Sequence, residues 1–215
     1  MTKSVIFDLD GVLVDSRAAI AGCINHALAV MGRPTRPEAE LYSHIGPPIA
    51  YSFGELLGLP PEHPDVAAMI AAYRERYATV SLTDTTVEPG IPEALERLAP
   101  AHRLAVATSK PAPFAEPLLE AVGLSGYFEV IAGPSFDHRA EPKTETLRRA
   151  LEALGPTRAV MVGDRSFDVV AAHAHALPAI GVTWGIGSRD ELSAAERLVD
   201  APAELPATVA DLLNE

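Results

Sequence analysis

Short apolar runs that alternate with longer helical patterns constrain the fold of this chain more than any other feature of its sequence. Five runs of three or four apolar residues are bounded by turn-forming residues, which is typical of strands buried on both faces of a parallel sheet. These runs are residues 5–7, 104–107, 130–132, 159–162 and 180–182. Helical patterns follow most of them, at residues 91–99, 113–122, 143–154 and 167–176. The alternation predicts an α/β fold, a Rossmann-like, doubly wound parallel sheet with right-handed crossovers.

One interval breaks this alternation. About 90 residues separate the first apolar run from the second, and a strand-to-strand connection needs far fewer. Within the interval, residues 16–31 and 64–80 have helical patterns, and proline-rich turns separate shorter helices between them. We therefore predict a small α-helical cap domain inserted into the core. The predicted cap is residues 15–83, and the predicted core is residues 1–14 and 84–215, closed by an amphipathic helix at 203–215.

Charge and composition exclude several classes of function. The formal net charge is −12, from 29 Asp+Glu against 17 Lys+Arg, so binding to a nucleic-acid phosphate backbone is not expected. The single cysteine, Cys23, excludes an intrachain disulfide and a multi-thiolate metal site. No apolar run approaches the ~18 residues that span a bilayer, and no signal-peptide pattern is present. We expect a cytoplasmic protein without a membrane partner, and the sequence does not indicate an oligomeric state.

Polar residues follow several of the predicted strands, at the end where an open parallel sheet binds its ligands. They are Asp8 and Asp10 after the first strand, Thr108, Ser109 and Lys110 after the second, Lys143 at the helix after the third, and Asp164 and Asp168 after the fourth. Asp8 and Asp10 are two residues apart and therefore point the same way on a strand. We expect these side chains to meet at one edge of the sheet.

This set of side chains suits phosphoryl transfer assisted by a metal ion. Carboxylates that lie close together repel one another unless a cation sits among them. Oxygen ligands without thiolate favour Mg²⁺, which also binds substrate phosphate. Hydroxyl groups and a lysine beside the metal would bind a phosphoryl group, while one carboxylate attacks phosphorus and a second acts as the acid. The chemistry predicts an aspartyl-phosphate intermediate.

The same residues form four motifs in a recognisable order. Asp8-Leu9-Asp10-Gly11 is followed by Thr108-Ser109-Lys110, by Lys143, and by Gly163-Asp164 with Asp168 four residues after Asp164. In order and spacing these motifs resemble the haloacid dehalogenase-like hydrolase superfamily along the whole chain, including the helical cap. Segments 44–48 and 180–185 resemble its phosphoglycolate phosphatase-like branch. The resemblance implies a Mg²⁺-dependent phosphatase that hydrolyses a small phosphorylated metabolite, such as phosphoglycolate or a nucleoside monophosphate.

The resemblance also implies a role for each motif residue. Asp8 would attack phosphorus and ligate the metal, and Asp10 would serve as acid and then base, with its carbonyl oxygen on the metal. Asp164 would be a metal ligand, and Asp168 would support the metal shell or Lys143. The transferring phosphoryl group would be held by Thr108, Lys143 and Ser109, with Gly11 allowing close approach of the backbone.

Two further residues are candidates for substrate specificity. Arg165 stands where many members of the family carry a small hydroxyl or amide residue after Gly-Asp. It could contact the leaving group of the substrate or pair with a carboxylate of the cap. His44 lies in the predicted cap and could also meet the substrate.

Two alternatives to a phosphatase stay open. A sugar phosphomutase of the β-phosphoglucomutase type shares the same motifs but returns the phosphoryl group to a sugar. A non-catalytic protein that binds a phosphorylated metabolite could retain the fold, although it would not need both Asp8 and Asp10. Dehalogenation is disfavoured because the dehalogenases resemble this pattern with a non-acidic residue at position 10.

Overall fold

The computed structural model describes residues 2–214, and within them the chain has eight strands and nine α-helices. The strands are β1 Lys3–Phe7, β2 Val14–Asp15, β3 Thr86–Val87, β4 Arg103–Ala107, β5 Val130–Ala132, β6 Arg158–Gly163, β7 Ala179–Val182 and β8 Arg197–Val199. The helices are α1 Arg17–Val30, α2 Glu38–Leu41, α3 Ile49–Leu57, α4 Pro64–Val80, α5 Ile91–Leu98, α6 Ala112–Ala121, α7 Lys143–Leu154, α8 Ser166–Ala174 and α9 Leu205–Asn214. No helix in this part of the chain has the length and apolar content needed to cross a lipid bilayer.

Six strands form one parallel sheet in the order β5-β4-β1-β6-β7-β8. The predicted α/β fold with a Rossmann-like parallel sheet is therefore confirmed. Strand β1 lies near the centre, where Val5 is in register with Leu104 of β4 and Val160 of β6. The carboxyl ends of β4, β1 and β6 are consequently neighbours, and these ends carry the three motifs with hydroxyl and carboxylate groups.

Alternate residues of each central strand face opposite sides of the sheet. Val5 and Phe7 belong to an apolar cluster with helices α5, α6 and α9, whereas Ile6 belongs to a second cluster with α7 and α8. All three side chains are fully buried, and burying each one contributes about 1.5–3 kcal/mol. Helices on both faces explain why these strands read as continuous apolar runs.

Strand β8 was not among the predicted strands. It has only three residues, with Arg197 exposed and Val199 alone fully buried, so its apolar run is too short to distinguish it from a loop. The predicted closing helix is present as α9, which begins at Leu205 after a short 3₁₀ turn. Glu215 lies outside the described residues.

Helices α1 to α4 lie between β2 and β3 and share their own apolar cluster. Helix α1 packs along α4. The Tyr73 ring stacks on Tyr77 and meets Phe53 edge to face, with a centroid distance of 5.4 Å in each pair. Val14 and Asp15 pair antiparallel with Val87 and Thr86. The chain therefore enters the four helices and leaves them at adjacent positions. This pair supports our proposal that residues 15–83 form a cap inserted into the core.

The cap helices contact the segment that leads from β5 to α7. The Ala50 amide donates to the Arg139 carbonyl oxygen over 3.2 Å. Arg74 Nη1 donates to the Phe136 carbonyl oxygen over 3.0 Å, and its guanidinium lies 4.7 Å from the centre of the Phe136 ring. These contacts hold α3 and α4 against this segment, which follows the carboxyl end of β5.

Candidate active site

Asp8 and Lys143 form the centre of the candidate site. Asp8 follows β1, and its Oδ1 accepts from the Leu9 amide over 2.7 Å and lies 2.6 Å from Lys143 Nζ. Lys143 begins α7, and its Nζ also lies 2.9 Å from Asp168 Oδ1. All three charged side chains are buried. The ammonium group therefore joins two carboxylates that come from different elements of the fold.

Burial and these contacts shift the pKa of both central groups. Burial raises the pKa of Asp8 to about 6, although the Lys143 charge acts in the opposite direction. Burial alone would lower the pKa of Lys143, but the charges of Asp168 and Asp8 outweigh it and hold that pKa above its ordinary value. Lys143 is therefore a fixed positive charge, suited to binding a phosphoryl group.

Asp164 lies at the end of β6 and is completely buried. Its Oδ2 accepts from the Ile186 amide over 2.7 Å, whereas its Oδ1 has no hydrogen-bond partner within residues 2–214. Ligand atoms of Asp8, Asp164 and Asp168 lie within 4.8 Å of one another. Burial, followed by the charges of Asp168 and Asp8, raises the pKa of Asp164 well above its ordinary value. The three carboxylates thus need more positive charge than Lys143 supplies.

Two glycines leave room for the Asp164 side chain. Gly11 has a φ of +81°, and a Cβ on it would lie 2.3 Å from Asp164 Oδ2. A Cβ on Gly185 would lie 2.4 Å from Asp164 Cβ and 2.6 Å from the Gly11 carbonyl oxygen. Any other residue at position 11 would therefore be strained and would push Asp164 away.

Asp10 has a different set of partners from Asp8. Its Oδ1 accepts from Ser16 Oγ over 2.5 Å and lies 3.0 Å from Lys110 Nζ. Lys110 Nζ also donates to the hydroxyl of Tyr77 in α4 and lies 4.5 Å from the centre of that ring. The sequence places Lys110 at the sheet edge, in the motif with Thr108, but assigns it no role in the site. Its position beside two predicted ligands was the available signal.

A cavity between the helices α1, α3 and α4 and the sheet edge is lined by three further predicted residues, Thr108, Ser109 and His44. Asp8, Asp10, Thr108 and Ser109 line its core side, and Thr108 Oγ1 accepts from the Lys110 amide over 3.1 Å. Its opposite wall is mainly apolar and aromatic, and is formed by Ile20, Ile24, Ile49, Phe53, Tyr73 and Tyr77. The cavity therefore has a polar side at the sheet edge and a mainly apolar side formed by these helices.

The two candidates for substrate specificity differ in position. His44 lines the cavity, and burial lowers its pKa. Arg165 is not among the cavity-lining residues, and instead of a cap carboxylate it pairs with Glu191, 2.8 Å from its Nε, while its Nη1 donates to the Ile45 carbonyl oxygen. Glu191 is within reach of Arg165 because the same carboxylate oxygen also accepts from the amide of Ser166, the next residue along the chain.

A parallel sheet with carboxylates and a lysine assembled at its carboxyl edge, under a layer of helices, suits an enzyme that transfers phosphoryl groups. Comparison with known families identifies the family of this chain. Residues 5–182 match the model of the haloacid dehalogenase-like hydrolase family, and the chain belongs to this family.

Three curated relatives cover most of the chain. They are the probable phosphatase IndB of Dickeya dadantii (37% identity, 100% of this chain and 96% of the relative), a 5′-nucleotidase of Pseudomonas aeruginosa (37%, 89% and 87%) and a phosphoglycolate phosphatase of Cupriavidus necator (34%, 95% and 91%). A crystal structure of a predicted phosphatase from Clostridium acetobutylicum has a TM-score of 0.93 at 34% identity, and covers 99% of this chain and 100% of its own. The predicted superfamily, its phosphoglycolate phosphatase-like branch and the phosphatase class are confirmed.

One relative carries a different description. The tyrosine-protein kinase PtkA of Mycobacterium tuberculosis is 42% identical over 190 residues, which are 86% of this chain but 64% of that protein. The solved structure of PtkA has a TM-score of 0.81 to this chain. The relatives of this chain are therefore named both as phosphatases and as a protein kinase, two classes that transfer a phosphoryl group to different acceptors.

Proposed function

We propose that this protein is a Mg²⁺-dependent phosphatase that hydrolyses a small phosphomonoester through a phosphorylated Asp8. The observation that carries the proposal is the buried cluster of Asp8, Lys143, Asp164 and Asp168, of which Asp8 also lines the cavity. Phosphoglycolate and nucleoside monophosphates are the substrate classes that the phosphatase relatives suggest.

The residues present fit a divalent cation. The buried Oδ1 of Asp164 has no partner in the described chain, and Asp8 and Asp168 lie within 4.8 Å of it. Carboxylate oxygens without thiolate or imidazole are the donor set that Mg²⁺ prefers. Asp8, Asp164 and the carbonyl oxygen of Asp10 would hold it, with Asp168 as support. When bound, Mg²⁺ neutralises negative charge on the phosphoryl oxygens.

The protein side chains divide the reaction into two displacements. The carboxylate of Asp8 forms a bond to phosphorus while the bond to the leaving oxygen breaks, and Asp10 gives that oxygen a proton. A water molecule then attacks the phosphorus and gives its proton to Asp10, and the bond from phosphorus to Asp8 breaks. Lys143, Thr108 and Ser109 hold the phosphoryl group during both displacements, which depend chiefly on positioning and charge.

The helical layer supplies the other half of the active site. Its apolar wall faces Asp8 and Asp10 across the cavity, so a bound ester would displace most of the water between them. Exclusion of water strengthens the interaction of the phosphoryl group with Lys143. Polar side chains of His44 and Arg74 also line this side of the cavity, and we propose that His44 contacts the leaving group.

The experiment that tests this function is a screen of the purified protein with Mg²⁺ against a panel of phosphorylated metabolites, measuring release of inorganic phosphate. We expect turnover of one or more small esters, and loss of that turnover by at least about 10³-fold in Asp8→Asn, whose circular dichroism should match that of the wild type. Full activity in Asp8→Asn would exclude Asp8 as the nucleophile.

The same panel separates the alternatives. A sugar phosphomutase would interconvert sugar phosphates in the presence of a bisphosphate primer and would release little inorganic phosphate. A protein that binds phosphometabolites without catalysis would show binding but no metal-dependent turnover above background. Either result would overturn the proposed hydrolysis.

A further inference from the structure

Arg165 is a buried charged residue of the Gly163–Asp168 segment to which the proposed reaction gives no step. It follows Asp164 directly and precedes α8, so its backbone belongs to the loop that carries the proposed metal ligand. Its side chain is only 11% exposed. A buried guanidinium needs acceptors for its donors, and the acceptors that it finds lie on both sides of the boundary between the core and the helical layer.

On the core side, Glu191 fixes the direction of the Arg165 side chain. Glu191 Oε1 lies 2.8 Å from Arg165 Nε and also accepts from the Ser166 amide over 2.9 Å and from Ser166 Oγ over 3.1 Å. This carboxylate oxygen is therefore held by three donors from one loop. Because the guanidinium is planar, the bond from Nε to Glu191 also fixes the direction in which the Nη1 and Nη2 groups of Arg165 donate.

On the other side, Arg165 Nη1 donates to the carbonyl oxygen of Ile45. The Ile45 side chain is 3% exposed within the apolar cluster of α1 to α4. Gly46 has a φ of +108°, and a Cβ on it would lie 3.1 Å from Arg165 Cγ, so this loop rests on the arginine. Ile45, Gly46 and Pro47 also line the active-site cavity.

We propose that Arg165 is a positioning residue that holds the loop of residues 44–48 over the active site, by joining Glu191 of the core to the Ile45 carbonyl oxygen. The bond ties one wall of the substrate cavity to the loop that carries Asp164. A cap attached in this way closes at a fixed distance from the phosphoryl site. The proposal relies on the proposed function only for its kinetic measurement.

Arg165→Met removes both bonds and keeps the apolar stem of the side chain. We expect hydrogen exchange of the full-length protein to rise about tenfold or more in peptides spanning residues 41–53, with no change in peptides from β6 and α7. With less of the protein in the closed form, the KM for the best ester of the panel should rise about tenfold. Bound substrate restores closure at saturation, so kcat should fall less than threefold.

Three further variants complete the test. Arg165→Lys can reach one acceptor but not both, so it should recover part of the KM and part of the protection. Glu191→Gln keeps the arginine but weakens its anchor, and should change both measurements in the same direction by a smaller factor. Arg189→Met removes an exposed arginine that pairs with Asp200, and should behave as the wild type.

Wild-type exchange in residues 41–53 together with a wild-type KM in Arg165→Met would overturn the proposal. So would exchange that rises equally in β6 and α7, because this indicates a general loss of stability, or a fall in kcat alone, because this indicates a role in the chemical step. Should Arg165→Met not fold, Glu191→Gln and Arg165→Lys decide by the same criteria. Should no ester be hydrolysed by the wild type, the proposed function fails, and the exchange measurement still decides the role of Arg165.

Discussion

Lys110 contacts the two sides of the active site with a single ammonium group. It lies 3.0 Å from Asp10 Oδ1 and donates to the Tyr77 hydroxyl. Asp10 is the residue that we propose exchanges a proton with the leaving group, and Tyr77 lies in the wall opposite. Lys110 therefore joins the Asp10 carboxylate, which Ser16 Oγ also contacts, to a tyrosine of the opposite wall.

Replacement of this lysine tests that role. We expect Lys110→Met to lower kcat/KM by about 10- to 100-fold, because Asp10 loses a charge-assisted hydrogen bond worth about 1.5–3 kcal/mol. Steady-state phosphate release, with circular dichroism to verify folding, provides the measurement. Tyr77→Phe is the matched control, since it removes one hydroxyl and leaves the Lys110–Asp10 ion pair, and its effect should be smaller. An unchanged kcat/KM in Lys110→Met would show that Asp10 is positioned by other groups.

At this scale the sequence predicts which residues converge but not how they pair. Asp8, Lys143 and Asp164 could be predicted to meet because the carboxyl ends of neighbouring parallel strands lie at one edge. The partners of Arg165 and Lys110 could not be predicted, since Ile45 and Tyr77 lie 120 and 33 positions away in a layer whose docking no local pattern specifies.

The element that places Lys143 is the segment between β5 and α7. Glu141 accepts from both terminal nitrogens of Arg149, over 2.6 Å and 2.7 Å, and from Thr146 Oγ1 over 2.8 Å. Arg149 also donates to the Gly133 carbonyl oxygen over 3.0 Å. The beginning and the end of this segment are thus attached to the same arginine of α7, which fixes the start of that helix.

The stability conferred by Glu141 should depend on pH. Burial acts to raise the pKa of Glu141, but hydrogen bonds from Arg149 and Thr146 outweigh it and hold the pKa below its usual 4.5. A carboxyl group whose pKa is lowered on folding stabilises the protein above the unfolded-state value and loses that contribution as the pH falls through the folded-state value. We expect Glu141→Gln to lose about 1 kcal/mol of unfolding free energy at pH 7, and the difference to close as the pH drops below 4.5.

Urea unfolding of the wild type and Glu141→Gln across this range provides the measurement. Glu129→Gln is the control, because Glu129 pairs with Arg103 at the exposed surface, where ion pairs contribute little. A deficit in Glu141→Gln that stays constant from pH 7 to below 4.5 would show that the loss comes from packing and not from charge.

Among the elements, those with long or strongly periodic patterns were predictable. Helix α7 has Leu147, Ala150 and Leu154 on one buried stripe, and it begins and ends at the predicted residues. The two-residue strands β2 and β3 could not be predicted, because their pairing depends on two chain segments about 70 residues apart. Such pairs have too few residues for any periodicity to be visible.

For the whole molecule, the active site is a source of electrostatic repulsion within a chain of net charge −12. Asp8, Asp164 and Asp168 are buried together with one ammonium group. A ligand that binds only the folded state stabilises it, so a cation that relieves this repulsion should raise the melting temperature.

We expect Mg²⁺ at about 100 times its Kd to add about 2.7 kcal/mol, which corresponds to a rise of about 5–10 °C in Tm for a chain of this length. Differential scanning fluorimetry with Mg²⁺ and then with excess chelator provides the measurement. Asp164→Asn, which keeps the side-chain shape, should show a much smaller rise. Equal rises in Asp164→Asn and wild type would place the cation elsewhere.

The order of the strands along the chain has a consequence for synthesis on the ribosome. Strand β1 is made about 100 residues before its partner β4 and still longer before β6, an interval of about 5–20 s at usual rates of translation. Helices α1 to α4 are contiguous in the chain, so they can pack into their apolar cluster before β4 is available to pair with β1. Because the proposed site includes Asp168 of the 215 residues, we expect a product truncated before that residue to be inactive.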